Sequence, residues 1–367
     1  MIWLTWRQFR AQAITAAAAL AAFAIVLAAT GSHLSSTYNG SGLATCHGGT
    51  CAGLASTFLS NLASGGGFAV VPGSDYMILY FLSIVVILIA PAIIGTFWGA
   101  PLIARELEAG TFRLTWNQSI TRTRWLAVKL ALIGAAAMAV TEAFSLLQAW
   151  WAAPIGKAVG LGGSGSIFSE TRFGVFVFPT HGITPLGYAA FGFALGVTAG
   201  LLVRRAIPAM AITLAIFAAA VFITPLMRPN LLPTSQTTAT IAATGANVSL
   251  TANPRLVFTA TTVPGHPGAW IISSDGVNAA GQPVSIVPAA CERLIPQGSV
   301  THRGPATAAP GANTLNNCVA SHGIRVAESY QPGSHYWPLQ LSETGMYLAL
   351  ALALACYCFW GLNRRRT

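Results

Sequence analysis

Charge is what this sequence has least of. Asp, Glu, Lys and Arg make up 8% of its 367 residues, about a third of the share in ordinary soluble domains. That is too little to cover a water-facing surface, so a soluble globular chain is excluded. Acidic residues are the scarcer sign, 9 against 19 Lys and Arg, leaving a net charge of +10. A basic excess suits nucleic acid when it clusters on a folded soluble face. Here the basic residues stand at the ends of apolar runs, and no nucleic-acid partner is expected. The chain also lacks a G-x-x-x-x-G-K-[ST] phosphate loop, an H-E-x-x-H helix and a G-x-S-x-G elbow. Its 7 histidines are scattered over loops without ligand spacing. No catalytic residue, resident cofactor or metal site is therefore expected, and the chain is not read as an enzyme.

What it has is apolar length. Hydrophobic residues reach 54% and mean hydropathy is +0.62. A bilayer is crossed by roughly 20 apolar residues, and runs near 12–30, 76–98, 126–152, 185–203, 206–226 and 342–361 qualify. Arg7 and Arg10 before the first run, with Ala28-Ala29-Thr30 after it, resemble a signal peptide. The apolar Trp3-Leu4-Thr5-Trp6 is wrong for such a leader, and a retained first helix is favoured. The fold class is then all-α transmembrane, a six-helix polytopic chain. Residues 1–226 hold helices one to five, with a cytoplasmic hairpin at 99–125; residues 227–340 form an extracellular domain; and 341–367 hold helix six and a basic tail.

Lys and Arg in short connections set orientation. With the N-terminus inside, Arg7, Arg10, Arg105, Arg113, Arg122, Arg124, Lys129, Arg204, Arg205 and Arg364 to Arg366 are cytoplasmic, against Lys157 and Arg172 in short outer loops. Arg228, Arg255, Arg293, Arg303 and Arg325 fall in the long outer segment, where charge has little influence. Both termini are thus expected in the cytoplasm. Cys46 and Cys51 fall in the first outer loop, and Cys291 and Cys318 in the long one. Disulfides persist in oxidising compartments, and bridges within each loop fit, while crossed pairings stay open. Cys356 and Cys358 in the last helix read as small apolar residues. A metal site at Cys46, His47 and Cys51 matches no familiar zinc spacing.

The first outer loop, Gly31 to Ser74, reads as a loose Gly- and Ser-rich segment anchored by a Cys46–Cys51 turn. Pro91 and Pro101 are expected to kink or break the second helix before Arg105, and Pro154 to follow the end of the third. Gly192, Gly196 and Gly200 allow close approach of another helix, either within one subunit or across a dimer seam. Gln148, Trp150 and Trp151 read as interface anchors. Glu142, inside helix three, is costly in a bilayer. It is either a carboxylate hydrogen-bonded to a neighbouring helix or protonated in place, or a cation or proton site on a transport path. In the outer segment, β-prone runs begin at Asn247, Arg255 and Ala269 and suggest a small β-rich or irregular domain. Its exit, Tyr330 to Trp337-Pro338, reads as an aromatic belt.

The densest charge lies between Arg105 and Lys129, flanked by apolar runs, with Arg105, Glu106, Glu108, Arg113, Arg122, Arg124 and Lys129 in one segment. Glu106 and Glu108 are read as opening a short helix with Arg113 near its end, which would complement the helix dipole. Arg105-Glu106, Gly110-Thr111 and Thr121-Arg122 resemble the R-E-x-x-x-G-T run and polar turn of ABC-2-type ATP-binding cassette transporter permeases, with Ser119 where that family carries proline. The Trp-rich N-terminus and the Tyr330-Gln-Pro to Trp337-Pro-Leu-Gln exit resemble an actinobacterial branch. The resemblance implies an exporter subunit in the plasma membrane, working as a dimer with a second permease copy or homologue. It further implies a cytoplasmic ABC ATPase subunit that binds ATP and Mg, with Arg105, Glu106, Glu108, Gly110, Thr111 and Arg122 in the hairpin that meets it. Membrane lipid is the surrounding partner, and the substrate is expected to be amphipathic or hydrophobic. Two alternatives remain: a non-transporting sensor or scaffold with a ligand-binding outer domain, and a proton-driven transporter resting on Glu142.

Overall fold

The computed structural model describes residues 2–46, 51–63, 76–108, 121–163, 168, 172–250, 255–266, 268–291 and 312–364. It is mostly helical, and among the described residues six helices are long and apolar enough to cross a membrane. The chain divides into two compact units, Met1–Arg228 with Trp337–Thr367, and Pro229–Tyr336.

In the first unit, α1 (Ile2–Gly40) is followed by a shorter α2 (Cys51–Ala63). The loop expected to be loose is therefore largely helical. Ala55, Phe58, Leu59 and Leu62 recur at helical spacing and are buried, packing with Leu34, Tyr80 and Trp151. The second span runs unbroken as α3 (Tyr76–Ile94), a π-turn (Gly95–Gly99) and α4 (Ala100–Glu108). Helix α5 (Arg122–Gly160) continues through Pro154 instead of ending before it. Gln148 and Trp151 are not interface anchors: both are fully buried, and Trp151 Nε1 donates to Thr30 Oγ1 at 2.7 Å. Trp150 alone of that trio is exposed.

Helix α6 (Thr184–Val203) is central, with 78% of its apolar stretch buried against 11% for α1. Its glycines explain why. A methyl group on Gly196 would overlap the Gly95 carbonyl oxygen, and one on Gly99 would lie 2.7 Å from the Phe193 carbonyl. The repeat of small residues thus serves packing within the chain, backbone against backbone where the second span crosses α6. Arg204 caps α6 in the left-handed region at φ 58, and α7 (Ala206–Met227) turns back with Ile207, Phe222 and Leu226 exposed, as a lipid-facing helix requires. The last span is α10 (Tyr336–Arg364).

The second unit holds a three-stranded antiparallel sheet in the order β1 (Ser235–Ala239), β5 (Arg325–Gln331), β4 (Trp270–Val277). A hairpin of β2 (Asn247–Leu250) and β3 (Leu256–Thr259) joins it, with the short helices α8 (Ile241–Thr244) and α9 (Ala312–Ser321). Val248, Phe258, Val319 and Val326 share its core. Asn316 on α9 ties the hairpin by accepting from Val248 N at 3.0 Å and donating to Ala246 O at 3.1 Å. Tyr330 belongs to this unit's buried sheet, not to an aromatic belt, while Trp337 is exposed.

Candidate functional site

The charged segment begins at the end of α4. Glu106 and Glu108 lie in the last turn of that helix, not in the first turn of a new one. Carboxylates at a helix C-terminus oppose the dipole, and each has a specific offset. Glu106 meets Lys129 of α5 at 2.5 Å. That ammonium is 3% exposed and lies 4.6 Å over the Trp125 ring. Glu108 is exposed, and its Oε2 accepts from Ala206 N at 3.5 Å, at the positive first turn of α7. Arg105 is exposed and has no hydrogen-bond or ion-pair partner among the described residues. Thr121 caps α5 by accepting from Arg124 N at 3.4 Å, and Arg122 is the first residue of that helix. Gly110, Thr111 and Arg113 lie outside the described residues. One short turn of chain thus fastens α4 to α5 by an ion pair and to α7 by a cap.

Beside this end lies a cleft of ≈ 250 Å³ between α1, α4 and α5, walled by Phe9, Trp98, Leu102 and Ile133, with Arg105, Glu106 and Lys129 also lining it. Its shape follows from Pro101. Proline has no N–H to give the carbonyl four residues back, so the Phe97 C=O lacks its ladder partner. Gln12 of α1 supplies one, Nε2 donating to that oxygen at 3.1 Å. Phe9 meets Trp98 edge-on at 4.8 Å.

Where α6, α7 and α10 meet at the other end of the bundle stands a polar cluster that sequence reasoning missed. Arg228, 1% exposed, donates from Nε to Glu343 Oε2 at 2.9 Å and from Nη2 to Oε1 at 3.4 Å. Tyr188 O–H donates to Glu343 Oε1 at 3.0 Å, and the guanidinium lies 4.2 Å over the Phe178 ring. Tyr347 hydrogen-bonds Thr224. Gln340 Oε1 accepts from Ile183 N and Thr184 N, both at 3.1 Å, while its Nε2 donates to Phe178 O at 3.2 Å. Arg228 was read as a topology-neutral charge of the outer segment. The available signal was Glu343, a carboxylate inside an apolar run, which needs a partner.

Glu142 sits mid-way along α5, half-buried, and its Oε2 is buried without a hydrogen bond among the described residues. Gln148 on the same helix is buried with both amide atoms unpaired among the described residues, and Ser145 between them donates to Thr180 O at 2.9 Å. Both bridges form within their loops, Cys46–Cys51 and Cys291–Cys318. His322 stands by the second, its Nδ1 3.9 Å from Cys291 Sγ; with both sulfurs bonded to each other, that group has no thiolate to offer a metal.

Six apolar helices with buried charge held in pairs define a multi-pass membrane protein. Residues 17–228, more than half of the chain, match the family model of the ABC-2 membrane transporter related domain. The chain belongs to that family and is an ABC-2-type transporter permease. No curated protein and no solved structure matches it.

Proposed function

We propose that this permease is the membrane half of an exporter in the plasma membrane, driven by ATP that a separate cytoplasmic ATPase subunit binds and hydrolyses with Mg. The observation that carries this reading is the anchoring of α4. A push on its exposed end at Arg105 and Glu108 passes through Glu106–Lys129 into α5, and through the Gly95–Gly196 crossing into α6. Close-packed backbones transmit such displacement without slack. The basic residues Arg7, Arg10, Arg105, Arg124, Arg204 and Arg205 all belong to this end by helix order, which supports cytoplasmic termini. The Cys46–Cys51 disulfide follows α1 and so belongs to the other end by helix order, and the Cys291–Cys318 disulfide lies in the chain between α7 and α10; an oxidising exterior suits both. The permease acts as a dimer with a second copy or homologue, the general habit of its family, and no catalytic step occurs on this chain. Apolar helix faces suit an amphipathic or hydrophobic substrate.

The test is co-expression with the cognate ATPase subunit. Glu108→Lys reverses an exposed charge on α4 and is expected to lower both co-purification and permease-stimulated ATP hydrolysis at least fivefold, the scale of about 1 kcal/mol. Unchanged recovery of the complex together with unchanged stimulation would remove α4 from the contact.

A further inference from the structure

We propose that the cleft between α1, α4 and α5 binds the head and first acyl carbons of an anionic phospholipid. The cleft lies where three spans end, the level at which headgroups sit. Its volume of ≈ 250 Å³ equals roughly eight water-sized groups at ~30 Å³ each, room for a phosphate and a few methylenes.

Charge selects the head. Lys129 and Arg105 both line the cleft, and Glu106 neutralises one of them. One cationic charge remains, on an exposed guanidinium without a protein partner among the described residues. Its planar fork matches two oxygens of a phosphodiester. Arg10, exposed beside Phe9 on α1, adds to the local positive field. Basic pockets between transmembrane helices take up acidic headgroups for this reason.

The walls select a lipid over a free anion. Phe9, Trp98, Leu102 and Ile133 offer no hydrogen bond to a hydrated phosphate, yet they suit methylenes. Gln12 holds α1 against the Phe97 carbonyl, so the groove is built by the fold and not by the ligand. Occupancy would bridge α1 to the ion-paired α4 and α5, and the lipid would stabilise the end of the bundle that carries most of the charge.

The experiment uses the full-length permease alone, so its outcome is separate from the ATPase partnership. Lipid retention is counted by native mass spectrometry after exchange into detergent with phosphatidylglycerol or phosphatidylcholine. Thermal unfolding is followed in nanodiscs of the same lipids. The wild type is expected to keep phosphatidylglycerol preferentially and to unfold at higher temperature with it. Arg105→Gln, at an exposed position, should weaken that preference about fivefold. Leu102→Trp, which fills the groove, should abolish it while leaving helix content unchanged. Equal retention of the two lipids, a preference that survives Arg105→Gln, or equal protection by inorganic phosphate would each overturn the proposal.

Discussion

Glu343→Gln isolates a charge that the fold has buried. Arg228 is 1% exposed and Glu343 fully buried, so neither is screened by water. Two of the hydrogen bonds to Glu343 come from the guanidinium and one from Tyr188. Were these ordinary interhelical bonds, each would contribute about 0.6 kcal/mol. Losing the two guanidinium bonds would then cost little more than ~1 kcal/mol. An uncompensated buried charge costs far more, about 3–5 kcal/mol. Glu343→Gln keeps an acceptor for Tyr188 and leaves Arg228 unpaired, so the larger figure applies. Arg228→Met should cost a similar amount, part of it the lost contact with the Phe178 ring. The double variant removes both charges and should cost roughly 2 kcal/mol or less, less than either single change. The assay is reversible unfolding of the full chain in mixed micelles with increasing dodecyl sulfate. Single variants that each lose under ~1 kcal/mol, and that add in the double variant, would refute the buried pair.

Three further outcomes are expected. Gly196→Val places a branched side chain against the Gly95 backbone, and overpacking alone costs about 1–3 kcal/mol; size-exclusion chromatography should show loss of monodisperse protein, while Gly160→Ala, with open space around it, should be silent. In the second unit, Glu328 on β5 is buried with both oxygens unpaired among the described residues, and burial raises its pKa above the ordinary carboxylate value. The unfolded chain then loses this proton first as pH rises, so stability is full below the ordinary carboxylate pKa and falls until the raised value is passed. Hydrogen exchange of β5 in the full chain, corrected for intrinsic rates, should show greater protection at pH 4 than at pH 7.5, and Glu328→Gln should remove the difference. Reduction of Cys291–Cys318, which closes 27 positions against 5 for Cys46–Cys51, should cost about 3–4 kcal/mol by loop entropy; cysteine-to-serine variants of each pair, compared by unfolding, would show equal losses if loop length were irrelevant.

The spans were legible because apolar length is a one-dimensional signal. Pro91 and Pro101 were expected to kink or break the second span, yet it stays helical through both, with a π-turn at Gly95–Gly99 between them. Helix ends were not: α1 runs on to Gly40 and α5 through Pro154, since polar residues outside the hydrocarbon layer continue a helix at little cost. Within the outer domain, β2, β3 and β4 announced themselves by β-branched and aromatic runs. Strand β1, with the sequence Ser-Gln-Thr-Thr-Ala, did not, because its pairing with β5 depends on a segment far along the chain. The same distance hid the Arg228–Glu343 pair. Local charge pattern placed Glu106 and Glu108 in a helix but at the wrong end, because the offsets that permit them there, Lys129 and the first N–H of α7, come from other helices.

The claim that this permease takes up work through the end of α4 is tested most directly by a photo-crosslinking residue at position 108, with a second at position 45 as the control from the opposite end. In cells co-expressing the ATPase subunit, the account predicts an adduct of the two proteins from position 108 and none from position 45. An adduct from position 45, or the absence of one from position 108 while the intact complex is recovered, would contradict it.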